Sequence, residues 1–132
     1  SIFHKMANRG VSLFLVLACI FVSTTASAKE KGNHHLPAVH VINALPKNSE
    51  PMDLQCDGEK ILNAGEDYQW TVEENKLVYC EAFWGKLFAS WHGFQPRRDV
   101  GHRAVYWLVK DTGFFLSWDN RSWVRKHLWE TE

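Results

Sequence analysis

The chain has 132 residues, 15 Lys and Arg against 15 Asp and Glu, and 45% hydrophobic residues. That length leaves room for one domain, and a balanced charge excludes the basic surplus on which nucleic-acid binding rests. Its one long apolar run, Val11 to Val22, falls short of the roughly 20 residues that span a bilayer, and no second run follows.

That run sits after Met6, Ala7, Asn8 and Arg9 and before the small-residue triplet Ala26-Ser27-Ala28. A short basic lead, a brief apolar core and an A-x-A ending predict a secretory signal peptide over residues 1–28, with Met6 as initiator and a mature chain starting near Lys29. The rival reading, a buried helix, fits poorly with the polar Lys29-Glu30-Lys31-Gly32 that follows. Of the 15 basic side chains, Lys5 and Arg9 belong to the leader, leaving 13 against 15 acids. The mature chain is therefore expected to bind no nucleic acid and to insert in no membrane.

Residues 29–37 read as a polar, flexible arm. From there the hydrophobic period is two. Val39, Val41 and Asn43 alternate with His40 and Ile42; Met52, Leu54 and Cys56 with Asp53 and Gln55; Tyr68, Trp70 and Val72 with Gln69 and Thr71. Ile61-Leu62 makes a very short strand, and Leu77 to Trp84, Leu87 to Phe94, Arg103 to Lys110, Phe114 to Trp118 and Trp123 to Leu128 complete the set. Turn formers separate them, among them Asn63 to Asp67, Gly85-Lys86 and the hairpin turn Asp111-Thr112-Gly113. Gln95-Pro96-Arg97-Arg98-Asp99 is charged and aperiodic and reads as a loop. No stretch shows the period of a helix, so the predicted fold class is all-β, a β-sandwich of about eight short antiparallel strands over residues 38–132.

Cys19 leaves with the leader, and Cys56 and Cys80 remain. In an oxidising compartment they most simply form one disulfide; the alternative is a pair of buried free thiols. Seven tryptophans, at 70, 84, 91, 107, 118, 123 and 129, read first as core and cross-strand filler. Exposed ones such as Trp118 or Trp123 would instead suit a carbohydrate platform. Asn120-Arg121-Ser122 is a glycosylation sequon in a predicted turn, or else a plain polar turn.

A search for catalytic chemistry finds Ser90, His92 and Asp99 as a candidate triad, without a nucleophile elbow around Ser90. His34, His35, His40, His92, His102 and His127 are scattered at spacings that do not make a metal site. No catalytic residue, metal or cofactor is therefore assigned.

Read in order, five blocks resemble the plant self-incompatibility protein family, also called S-protein homologues. They are Val39-His40-Val41-Ile42-Asn43-Ala44-Leu45; Leu54-Gln55-Cys56; Gly65 with Tyr68-Gln69-Trp70; Tyr79-Cys80-Glu81-Ala82-Phe83-Trp84; and Tyr106-Trp107 through Gly113-Phe114. The resemblance covers nearly the whole chain after the arm. It implies a small secreted β-sandwich, in a family whose founding members are stigma-side determinants that signal to incompatible pollen. Two departures stand out. Val100-Gly101-His102 and Val105-Tyr106-Trp107 stand where the family usually has C-G-H and C-x-W, leaving Cys56 and Cys80 to pair with each other. Asp57-Gly58-Glu59-Lys60 is shorter than the acidic run usual after that strand.

These observations lead to a secreted, monomeric ligand that acts in extracellular recognition without catalysis, its partner a cell-surface receptor protein. Charged, aperiodic segments on a stiff frame are the candidate recognition loops: Asp57, Glu59 and Lys60, with Gln95, Arg97, Arg98 and Asp99. The rivals are a cell-wall carbohydrate or defence-related binder and a small secreted hydrolase. Coplanar tryptophans on an open face would favour the first, a deep polar pocket the second.

Overall fold

Val39, Val41 and Asn43 are buried while Ala38, His40 and Ile42 between them are partly exposed, and this period of two recurs along the chain. The structure is a computed structural model, and it describes residues 36–131. The predicted leader, its initiator and most of the arm lie outside the described residues.

Among the described residues, nine strands form in chain order: β1 (Ala38–Asn43), β2 (Met52–Cys56), β3 (Gly58–Leu62), β4 (Asp67–Thr71), β5 (Val78–Trp84), β6 (Leu87–Phe94), β7 (Ala104–Lys110), β8 (Gly113–Ser117) and β9 (Val124–His127). A four-residue helix, α1 (Pro96–Asp99), lies between β6 and β7. The strands make a five-stranded sheet, β4-β1-β7-β8-β9, and a four-stranded sheet, β3-β2-β5-β6. The two-sheet all-β architecture is the one expected. Two details differ from expectation. The short strand at Ile61-Leu62 extends back to Gly58, and β1 pairs with β7 in parallel, Val39 opposite Val105 and Val41 opposite Trp107. Parallel pairing needs a long crossover, and the whole four-stranded sheet lies on the chain between β1 and β7. A period of two looks the same in either direction, so the pattern alone did not distinguish them.

The core lies between the sheets. Val39, Val41, Val105, Trp107, Val109, Phe114 and Leu116 face inward from one, and Met52, Leu54, Leu62, Cys80, Ala82, Ala89, Trp91 and Phe94 from the other. Trp91 sits 5.9 Å from Trp107 and 4.6 Å from Phe114 between ring centroids, so aromatic contact spans both layers. Cutting Trp107 to Ala would cost about 3–5 kcal/mol at a site this closed.

Asn43 joins the layers by hydrogen bonds. Fully buried at the end of β1, its Nδ2 donates to the Leu62 carbonyl at 2.9 Å, and its Oδ1 accepts from the Leu45 N–H at 3.0 Å. A polar side chain in that position is tolerated because donor and acceptor are both used.

Cys56 and Cys80 are disulfide-bonded, across adjacent strands of one sheet, with Cα atoms 4.3 Å apart. The register puts Gln55 opposite Glu81, so the next residues along β2 and β5 face each other directly. The bond pins the start of the β2–β3 hairpin to the middle of the four-stranded sheet.

Candidate functional site

Asp57 is the single residue between β2 and β3, with Gly58 in the left-handed region at φ 89° to close so tight a turn. Glu59 and Lys60 therefore belong to an edge strand, not to a loop as expected, and both are exposed. The Tyr68 hydroxyl reaches the Asp57 carbonyl at 3.4 Å, and the Lys60 ammonium lies 5.9 Å from the Tyr68 ring centroid. The four-residue stretch closes by a turn and a strand, so its side chains are held at fixed points along a sheet edge.

Gln95 to Asp99 departs further from expectation. Pro96 opens α1 and Asp99 closes it, and the Asp99 side chain is 1% exposed. The Gln95 N–H donates to Asp99 Oδ2 at 2.8 Å. Arg98 Nε donates to Oδ1 and Nη2 to Oδ2, each at 2.8 Å, and the Trp118 indole N–H donates to Oδ1 at 2.9 Å. Arg98 Nη2 also reaches the His92 carbonyl at 3.0 Å, while its guanidinium carbon sits 5.1 Å from the Trp107 ring centroid. Charged residues in an aperiodic stretch suggested a solvated loop with few buried contacts. Their charges instead cancel in a buried, hydrogen-bonded pair that ties α1 to β6, β7 and the end of β8. Asp99 and Arg98 are structural groups, and of this segment Arg97 is the charged side chain left exposed.

That pairing also bears on the triad. Ser90 and His92 do share the outward side of β6, but the Asp99 oxygens are taken by Arg98, Gln95 and Trp118. The two predicted recognition segments lie at the same end of the four-stranded sheet and at its opposite edges, β3 and β6. Three strand spacings, roughly 14 Å, separate those edges, so the structure does not bring the segments into one patch.

Asn120 sits exposed at the tip of the β8–β9 turn with φ 62°, a left-handed position that Asn tolerates better than most residues. Asp119 organises the turn. Its carboxylate accepts from the N–H groups of Arg121 and Ser122 at 2.8 Å each and from the Ser117 hydroxyl at 2.9 Å. Those bonds, Ser122 and Arg121 foremost, hold its pKa down to about 2.

A further surface was not anticipated. On the four-stranded sheet, Ile61, Asp53, Phe83 and Phe88 stand opposite one another across β3, β2, β5 and β6, and Glu59, Gln55, Glu81 and Ser90 form the outward row beside them. Ile61 is 53% and Phe83 40% exposed. The side-chain hydrogen bond with Asp53, and then its charge, raise the Glu59 carboxyl above the usual range. The alternation Asp53-x-Gln55 and Glu81-x-Phe83 carried the signal, since Leu54 and Ala82 between them are core residues.

A family model described as plant self-incompatibility protein S1 matches residues 38–129. The chain belongs to this family. No curated protein and no solved structure matches it.

Val100 and Val105, the two valines expected to stand in place of cysteines, have opposite surroundings. Val105 is fully buried in β7, and Val100 is 73% exposed just after α1. The first fills the core, whereas the second leaves an isopropyl group in water. The tryptophans serve mainly as filler: Trp91 and Trp107 are buried, and Trp70, Trp84 and Trp129 pack against the core. Trp118 is bound to Asp99 and stacks on His102 at 4.6 Å, and Trp123 is half-buried. Among the described residues, the close tryptophan pairs meet at 47° and 64°, not in one plane.

Proposed function

We propose that the mature chain is a secreted protein ligand that acts in extracellular cell-cell recognition by binding a cell-surface receptor protein. The observation that carries this reading is the match to the self-incompatibility S1 family over residues 38–129. Supporting it, the signal-peptide pattern and the Cys56–Cys80 disulfide both suit an oxidising, extracellular setting. Charged side chains at Asp57, Glu59, Lys60 and Arg97 project from a backbone held by sheet pairing and by the Asp99 pair, so a partner would meet a preorganised surface. Binding, without catalysis, is the activity this arrangement supports.

Saturable attachment of the labelled, secreted protein to intact cells tests the reading, with Asp57→Ala/Lys60→Ala and Arg97→Ala variants in parallel. Loss of attachment in a variant that keeps its melting temperature is the expected result. Turnover of RNA, glycan or peptide by purified protein, abolished by His92→Ala, would overturn it in favour of the hydrolase.

A further inference from the structure

We propose that the outward face of the four-stranded sheet is a docking surface for an extended segment of the partner protein that carries arginine or lysine alongside large apolar side chains. This rests on the ligand reading above and adds a second contact surface, apart from Asp57, Lys60 and Arg97, with the chemistry of what it meets.

The inward residues of β2, β5 and β6 fill the core, so their neighbours must face out. Ile61 and Phe83 are exposed and Phe88 is half-exposed in one row across the sheet, with Asp53 between the first two, more apolar surface than a solvated sheet face needs. Phe83 and Phe88 also wall an open cleft of about 640 Å³ that Lys86, in the turn beyond the face, and Thr131 line as well. Asp53 stands within this row and Glu59 and Glu81 in the next, and no outward side chain of these four strands is a lysine or arginine. Lys60 alternates away from this face, toward Tyr68.

One of these acids lacks a donor in the free protein and a second is crowded by its charge. Asp53 Oδ1 is closed off from solvent with no donor to it. Glu59 stands beside the Asp53 carboxylate, whose hydrogen bonding and then charge raise its own carboxyl. An arriving guanidinium or ammonium supplies the missing donors and offsets the repulsion. The face also suits an extended segment. The row that carries Phe83 and the row that carries Glu81 lie two residues apart, about 7 Å, which is the repeat at which a strand presents side chains to one side. Such a segment running along the strands would set an apolar side chain over Phe83 and a basic one over Glu81.

The test uses the secreted, disulfide-bonded protein. A peptide in which arginine and leucine alternate at every second position with serine between them, Arg-Ser-Leu-Ser repeated, is titrated into isotope-labelled protein, and a matched peptide with glutamate in place of arginine serves as control. Expected are saturable amide shifts confined to β2, β3, β5 and β6, weakened by salt, and at least a tenfold loss of affinity in Glu59→Lys/Glu81→Lys; Glu81→Gln, a milder change, should weaken binding without disturbing the fold. Equal response to both peptides, or shifts confined to other strands, would overturn the proposal. The same variants are then compared on intact cells. If wild-type protein attaches and the charge-reversed form attaches equally, this face is not the docking surface while the ligand reading stands. If wild-type protein attaches to no cell, the ligand reading fails, and the peptide titration still decides the face. A wild-type dimer in sedimentation that the charge reversal disperses would make a second copy the occupant and also overturn the proposal.

Discussion

The indole N–H of Trp118 donates to Asp99 Oδ1 at 2.9 Å, joining the end of β8 to the helical turn after β6 across nineteen residues of sequence. Arg98 meets the same carboxylate through two nitrogens, and the carboxylate is buried. A buried ion pair is weak evidence of stability as a whole, but removing one partner leaves the other charged and unserved. Asp99→Ala should therefore lower unfolding free energy by roughly 3 kcal/mol, as breaking such pairs does. Urea denaturation checks this, and a loss of less than about 1 kcal/mol would return the segment to the solvated loop that its charges suggested.

Gly93 offers a sharper steric test. A Cβ there would lie 2.6 Å from Cys80 Sγ, and the disulfide prevents that sulfur from swinging away. Gly93→Ala should destabilise by about 1–3 kcal/mol, the usual cost of overpacking. The cost should be smaller in a Cys56→Ser/Cys80→Ser background, where the side chain at 80 is free to rotate. Equal costs in both backgrounds, measured by a double-mutant cycle, would remove the disulfide from the explanation.

The disulfide closes a loop of sequence separation 24. In the chain-entropy account that restricts the unfolded chain by about 3 kcal/mol. Reduction, or the double serine substitution, should lower the melting temperature clearly while far-ultraviolet circular dichroism keeps its β character. Mass spectrometry of secreted protein should find no alkylatable thiol at Cys56 or Cys80.

Asp119 predicts a pH effect. Its pKa is held down to about 2, below the ordinary carboxylate value, by donors that the folded turn supplies. Its contribution is then fully present above the unfolded value near 4 and is lost as pH falls through about 2. Carboxyl chemical shifts against pH should show this midpoint. Asp119→Asn should loosen the Asn120 turn without altering the sheets, visible as faster exchange of the Arg121 and Ser122 amides.

Most of the β architecture was legible from the chain, because alternation at Val39-x-Val41, Met52-x-Leu54 and Tyr68-x-Trp70 follows from which side of a strand faces oil and which faces water. The cysteine pair was legible too, since two remain once the expected leader is set aside. Pairing direction was not: β1 beside β7 depends on a contact between residues more than sixty apart, and a period of two is blind to it. Nor was Asp99. Composition ranks a charged residue in an aperiodic stretch as solvated, and only the fold brings Arg98, Trp118 and the Gln95 N–H around it. The acidic, aromatic outer face has the same origin. Asp53, Glu59, Glu81, Ile61 and Phe83 are ordinary alternating residues along their own strands, and strand order alone gathers them into one surface. Local periodicity decides which way a side chain points, whereas its neighbours are decided by tertiary pairing, which sequence patterns of short range do not encode.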